Sequence, residues 1–171
     1  MAIGLDGAGG VVESATAPWK IPMLTSKGKY GLKALLDLAN SEGATHIADI
    51  AARNNIPKKF LEAILLELKN AGFLYSKKGK GGGYELAKLP DEIMIGDVIR
   101  VLDGPLAPIA CASRTAFRAC VDCSDPAACR VRLAMLEVRD AVARLLDNLS
   151  LSDLTGRPTV EVGMLVAGYD I

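Results

Sequence analysis

The chain has a single histidine and, outside one window of nineteen residues, no cysteine at all. With His46 alone there is no Cys/His pair near one another to activate a nucleophile. G-x-S-x-G, H-E-x-x-H and the dinucleotide fingerprint are absent as well, so no enzymatic activity is expected. His46 stands far in sequence from every cysteine and reads as a surface or capping residue. No apolar run approaches the roughly 18 residues of a membrane span, and the N-terminus lacks the basic and long apolar regions of a secretory leader. A cytoplasmic chain is expected, for which Asn148-Leu149-Ser150 is a glycosylation pattern without the compartment to use it. Net charge is also lacking, at zero for 171 residues, but its distribution is uneven. Residues 25 to 90 hold eleven Lys/Arg against six Asp/Glu, a net of +5, so that half is where nucleic acid would bind.

Half of the residues are hydrophobic and 23% are charged, enough apolar material for a sizeable core. Residues 1–22, with Pro18 and Pro22 among glycines and alanines, show no period and read as a flexible extension. From Ser26, an N-cap by type, Leu32, Leu35, Leu36 and Ala39 mark one face of a helix ending near Asn40. Ile47, Ile50 and Ala51 give a short second helix, Asn54-Asn55 a turn, and Pro57 the first residue of a third. Its expected core face is Phe60, Leu61, Ile64, Leu65 and Leu68. Gly72 stops that helix, and Phe73-Leu74-Tyr75 reads as a strand returning through Tyr84 and Leu86 after a glycine-rich loop, residues 76–83.

These elements predict a mainly α fold with a small β-hairpin wing, a winged helix-turn-helix over residues 23–104 closed by a helix from Ile95 to Leu102. A cysteine loop (105–130), a long helix (131–154) and a loose tail (155–171) follow. On the long helix Val131, Met135, Val138, Val142, Leu145 and Leu149 alternate in steps of four and three, the spacing of a helix that pairs with another helix. A homodimer is expected; cover for the chain's own core is the alternative.

In a helix-turn-helix the second helix enters the major groove, which here presents Pro57, Lys58, Lys59, Glu62 and Ala63. The lysines suit phosphate or guanine, and Glu62 suits a cytosine amino group. Lys77, Lys78 and Lys80 stand among the wing glycines, where ammonium groups can neutralise phosphates. A nucleotide-cradling loop is excluded, because G-x-x-x-x-G-K-[ST] is absent and the glycines lie between strands.

The four cysteines run Cys111-x8-Cys120-x2-Cys123-x5-Cys129. Thiolates at such spacing bind iron–sulfur clusters or zinc, and Arg114, Arg118, Arg130 and Arg132 nearby should favour thiolates and an anionic cluster. A cluster, a thiol–disulfide switch, and structural zinc or inert thiols remain open. The spacing matches neither ferredoxin pattern, which argues against an electron carrier.

The segments Leu24-Thr25-Ser26-Lys27-Gly28-Lys29-Tyr30-Gly31-Leu32, Ile47-Ala48-Asp49-Ile50-Ala51, Phe60-Leu61-Glu62 and Gly81-Gly82-Gly83-Tyr84-Glu85-Leu86 occur in this order, with Ser150-Leu151-Ser152-Asp153-Leu154 near the end. In these the chain resembles the bacterial winged-helix regulators of the iron–sulfur cluster assembly regulator (IscR-like) family, from about Met23 to Leu154. The resemblance implies a cytoplasmic homodimeric transcription regulator, a repressor by expectation, joined through the long helix and bound to double-stranded operator DNA. Its DNA-contacting residues would be Ser26, Lys27, Lys29, Tyr30, Lys58, Lys59, Phe60, Glu62, Lys77, Lys78, Lys80, Gly81 and Gly82. It further implies a 2Fe-2S or 4Fe-4S cluster sensing iron–sulfur, redox or nitric oxide status, although some members have none. Cys123-x5-Cys129 matches the last two cysteines of the sensing members, whereas the histidine that can follow is here Arg132, so ligation by Cys111, Cys120, Cys123 and Cys129 is expected.

Overall fold

A computed structural model describes residues 24–79, 81–123 and 125–157. The expected extension at 1–22 and most of the expected tail lie outside the described residues.

Helix α1 (Ser26–Ala39) is capped one residue earlier than the Ser26 cap expected from sequence: Thr25 is the N-cap, and its hydroxyl accepts from the Lys27 and Gly28 amides. Thr25 wins the role because Asp103 holds it from the far side, accepting from its amide at 2.8 Å and its hydroxyl at 2.5 Å. The buried face of α1 is Gly28, Gly31, Ala34, Leu35 and Leu38, with Leu32, Leu36 and Ala39 only partly covered. The shift follows from the two glycines: a Cβ at Gly28 would strike Asp103, and one at Gly31 would strike Leu102. Both lie where α4 (Ile95–Asp103) crosses α1.

Helix α2 (Ile47–Asn54) ends at Asn55, which takes the left-handed conformation (φ 51°) and sets the turn into α3 (Lys58–Asn70). Pro57 caps α3 instead of opening it. His46 holds the N-cap position of α2 but makes no side-chain cap bond. Leu61, Ile64, Leu65 and Leu68 are fully buried, as their spacing predicts. Phe60 is not core: it is 39% exposed and meets Tyr30 of α1 edge to face, with ring centroids 5.9 Å apart.

The wing is the antiparallel pair β1 (Leu74–Lys77) and β2 (Gly83–Leu86), in register from Leu74 opposite Leu86 to Lys77 opposite Gly83. Thr45 adds a bridge, exchanging two 2.9 Å backbone hydrogen bonds with Tyr84. Gly83 (φ +152°) permits this approach, since any Cβ there would enter the Thr45 carbonyl.

After the cysteine segment come α5 (Arg130–Leu146) and α6 (Leu151–Thr155). The single helix expected over 131–154 is therefore broken: Ser150 caps α6 in a reciprocal box with Asp153, and Leu151 returns fully buried to the core. Met94 and Ser150 form a β-bridge, and the Ile95 and Leu151 amides donate across it to Leu149 and Ile93. Hydrogen bonds to Ser150 hold the Asp153 carboxyl below its ordinary range. Asp147 receives both terminal nitrogens of Arg100 at 2.6 and 2.9 Å, fixing the end of α5 to α4. Gly96 makes room there, because a Cβ would collide with Asp147.

Candidate nucleic-acid interface and cysteine loop

The first turn of α3 and the start of α1 share one surface. Lys58, Lys59 and Glu62 are exposed, as are Ser26 and Lys29, while the Tyr30–Phe60 pair joins the two helix starts. Lys29 lies over the Tyr30 ring, its ammonium 5.2 Å from the centroid. Lys27 is drawn to Glu67 at 2.6 Å, an ion pair within the fold. Among the described residues no such ion pair holds Lys58, Lys59, Lys77 or Lys78.

In the wing, Lys77 and Lys78 are exposed and Gly81 stands open at φ +82°. Gly82 instead is buried in its own turn, donating to the Gly79 carbonyl at 2.9 Å. A Cβ there would press on the Lys77 carbonyl at 2.5 Å, so this glycine shapes the loop. Lys80 lies outside the described residues. The structure thus brings the expected α1, α3 and wing residues onto one winged domain, with Gly82 as scaffolding.

Each cysteine occupies a different setting. Cys111 is buried in a short 3-10 turn, Ala110–Ala112, against α5. Cys120 is exposed and points its thiol at the Cys111 sulfur, 3.8 Å away. The Cys123 amide donates to the Cys120 carbonyl at 3.3 Å. Cys129 is the N-cap of α5, its sulfur accepting from the Arg132 amide. Among the described residues, no three His, Cys, Asp or Glu side chains converge on one point that would hold a metal ion.

The arginines do not act as expected. The hydrogen bond to Cys111, then the neighbouring negative groups, push the Cys120 thiol up, and burial followed by Cys129 pushes the Cys123 thiol up. Two of the four guanidinium groups are engaged with other partners: Arg132 donates to the carbonyls of Cys111 (2.8 Å) and Pro126 (3.4 Å) and lies over the Phe117 ring. Arg114 reaches Asp140 at 3.4 Å. Sequence reading gave Arg132 only an electrostatic role; in the fold it is the tie between loop and α5.

The expected stripe on α5 divides. Val131, Val138 and Leu145, seven residues apart, are 66%, 44% and 73% exposed. Val142 and Leu149 pack against the chain's own core, and Met135 is half-buried. Cover for the chain's own core therefore accounts for Val142 and Leu149, and the other line is left exposed in the single chain.

A winged helix-turn-helix followed by a thiol loop and a long helix is the layout of a known group of regulators. The Rrf2 family of iron-dependent transcriptional regulators matches residues 24–157. The chain belongs to the Rrf2 family. It is 45% identical over 147 residues to an rrf2-like HTH-type transcriptional regulator of Rhodobacter capsulatus, covering 82% of this chain and 98% of that one. It is 34% identical over 133 residues to the transcriptional regulator IscR of Aliivibrio salmonicida, with 77% and 76% covered. The structure of CymR, the global cysteine regulator of Bacillus subtilis, superimposes with a TM-score of 0.65 at 37% identity, covering 80% of this chain and 98% of CymR. The Rrf2-type fold and the role of transcriptional regulator are thereby established for this chain. Among the described residues no helix is long and apolar enough to cross a membrane.

Proposed function

We propose that this Rrf2 regulator is a cytoplasmic homodimeric repressor that binds operator DNA through α3 and the wing and senses iron–sulfur, redox or nitric oxide status through its cysteine loop. The observation that carries the reading is the position of the four thiols, on one loop whose last cysteine caps α5 and whose first lies buried against it. The donor chemistry fits an iron–sulfur cluster, since all four groups are soft sulfur donors and no histidine is near in sequence. Cys111, Cys120, Cys123 and Cys129 would hold it. When bound, a 2Fe-2S or 4Fe-4S cluster supplies a centre that answers to iron supply and to oxidants.

The protein's own residues relay the signal. Arg132 ties the backbone of Cys111 to the first turn of α5, so rearrangement of the loop moves that turn. The line Val131, Val138 and Leu145 is the proposed seat of the second copy, because it repeats every seven residues and is left uncovered. Motion of α5 then changes the spacing of the two α3 helices over their half-sites, a coupling of typically about 1–3 kcal/mol.

A second reading rests on the 3.8 Å separation of the Cys111 and Cys120 sulfurs. Two-electron oxidation would join them at about 2.05 Å, the electrons and the two thiol protons passing to a peroxide, which leaves as water, or to a small disulfide, which leaves as two thiols. One comparison separates the readings. Protein purified without oxygen should contain iron and sulfide and absorb broadly in the visible, and Cys123→Ala should lose all three. Colourless protein whose oxidation consumes two thiols, blocked by Cys120→Ser and not by Cys123→Ala, would establish the disulfide instead.

For the wing, Lys78→Ala should weaken binding to all DNA sequences alike and reduce the slope of log K against log salt by about 0.9, the contribution of one phosphate. A slope equal to wild type would remove Lys78 from the interface.

A further inference from the structure

Behind α5 lies a cavity of about 520 Å³, bounded also by α4 and the segment leading to Ser113. Its size falls within the 300–1,000 Å³ typical of small-molecule sites. Four guanidinium groups, Arg100, Arg114, Arg139 and Arg144, line it against two carboxylates, Asp140 and Asp147. Both carboxylates are already occupied. Asp147 is held by the two terminal nitrogens of Arg100, and Asp140 by Arg139 at 2.7 Å and Arg114 at 3.4 Å.

Arg139 is the unusual member. Its side chain is only 9% exposed, and its Nε has no hydrogen-bond partner among the described residues. A buried donor left unsatisfied is costly, and a buried cation more so, so such an arrangement persists where something else completes it. Arg144, which also lines the cavity, makes no ion pair among the described residues. Leu106 and Ala143 add hydrocarbon to the lining. At about 100° per residue, Asp140, Ala143 and Asp147 point to a different side of α5 from the Val131, Val138 and Leu145 line. A second copy seated on that line would approach α5 from the side away from these three residues.

We propose that this cavity binds a small organic carboxylate, its carboxyl group meeting the guanidinium groups of Arg139 and Arg144 and its hydrocarbon part resting on Leu106 and Ala143. A guanidinium presents parallel donors that match a carboxylate, and the apolar wall selects an anion carrying an aliphatic chain over a bare inorganic one. The site touches α4 of the winged domain through Arg100 and the proposed dimer helix through Arg139, independently of the cysteines.

The test uses the full-length protein, with butanoate, butanamide and inorganic phosphate as probes, followed by thermal unfolding and calorimetric titration. Butanoate should raise the unfolding temperature in a saturable way, with butanamide inert and phosphate weaker. Arg139→Gln should reduce butanoate affinity at least tenfold. Arg144→Gln, on an exposed residue and so safe for folding, should reduce it severalfold, while Cys123→Ala should bind as wild type. Equal binding of butanamide or of phosphate would overturn the carboxylate assignment. Absence of butanoate binding, or binding only after the dimer is broken by Val138→Asp, would overturn the site itself.

Discussion

Leu61→Ala is expected to lower the free energy of unfolding by about 2–5 kcal/mol. Leu61 is fully buried on α3, the helix that packs on α1, α2, α4 and the first wing strand, so little around it can relax into the space left by three carbons. Domains of this kind are stable by about 5–15 kcal/mol in total, and this loss takes a large share of that margin. The check is urea unfolding at fixed protomer concentration, which should show a lower midpoint at an unchanged slope. Leu66→Ala on the same helix is the control. That side chain is 51% exposed, and its loss should cost well under 1 kcal/mol. Equal costs at the two positions would contradict the placement of the α3 core face. DNA affinity should fall with Leu61→Ala in proportion to the unfolded fraction, since Lys58, Lys59 and Glu62 are displayed by the same helix.

Val138→Asp should convert the protein from dimer to monomer. Val138 is the middle residue of the uncovered line on α5, with Val131 and Leu145 one heptad to either side. A carboxylate there would be desolvated without a partner, at a cost of about 3–5 kcal/mol, equivalent to a rise of about 10²–10⁴-fold in the dissociation constant. Sedimentation equilibrium measures this directly. Folding should survive, because the position is half-exposed in the single chain and carries no part of the core. A variant that remains a wild-type dimer would place the subunit contact elsewhere. Loss of the dimer should also abolish tight operator binding, since one winged domain spans only one half-site.

Periodicity in the sequence was enough to read the order of elements from α1 to the wing, because apolar spacing and the breaks at Asn54-Asn55 and Gly72 are local signals. Details decided by distant residues were not legible. Thr25 displaces Ser26 as a cap because Asp103, 78 positions away, grips it. Phe60 has the spacing of a core residue but faces Tyr30 at the surface, where two helix starts meet. The α5 stripe merged exposed and core-packed positions because residues four apart on a helix differ by only about 40°. One set could therefore straddle the border between exposed line and core. Arg139 looked like any surface charge, and only the convergence of α4, α5 and the loop after Cys111 shows it to be enclosed.

The attachment of α5 at its two ends bears on how force would travel through the protein. At its C-terminal end the helix is clamped to the winged domain by Arg100 and Asp147 and by the return of α6 into the core. At its N-terminal end it is held through Cys129 and Arg132, both belonging to or bound by the thiol loop. A rod of 17 residues, at about 1.5 Å each, is about 25 Å long. Pivoting by about 10° at the clamp would swing the loop-bound end by about 4 Å, close to the rise of one base pair of DNA, about 3.4 Å. On the proposed sensing mechanism, leverage on this scale would let a rearrangement confined to a few sulfur atoms set the mismatch between the two reading heads of a dimer and the helical repeat they would straddle.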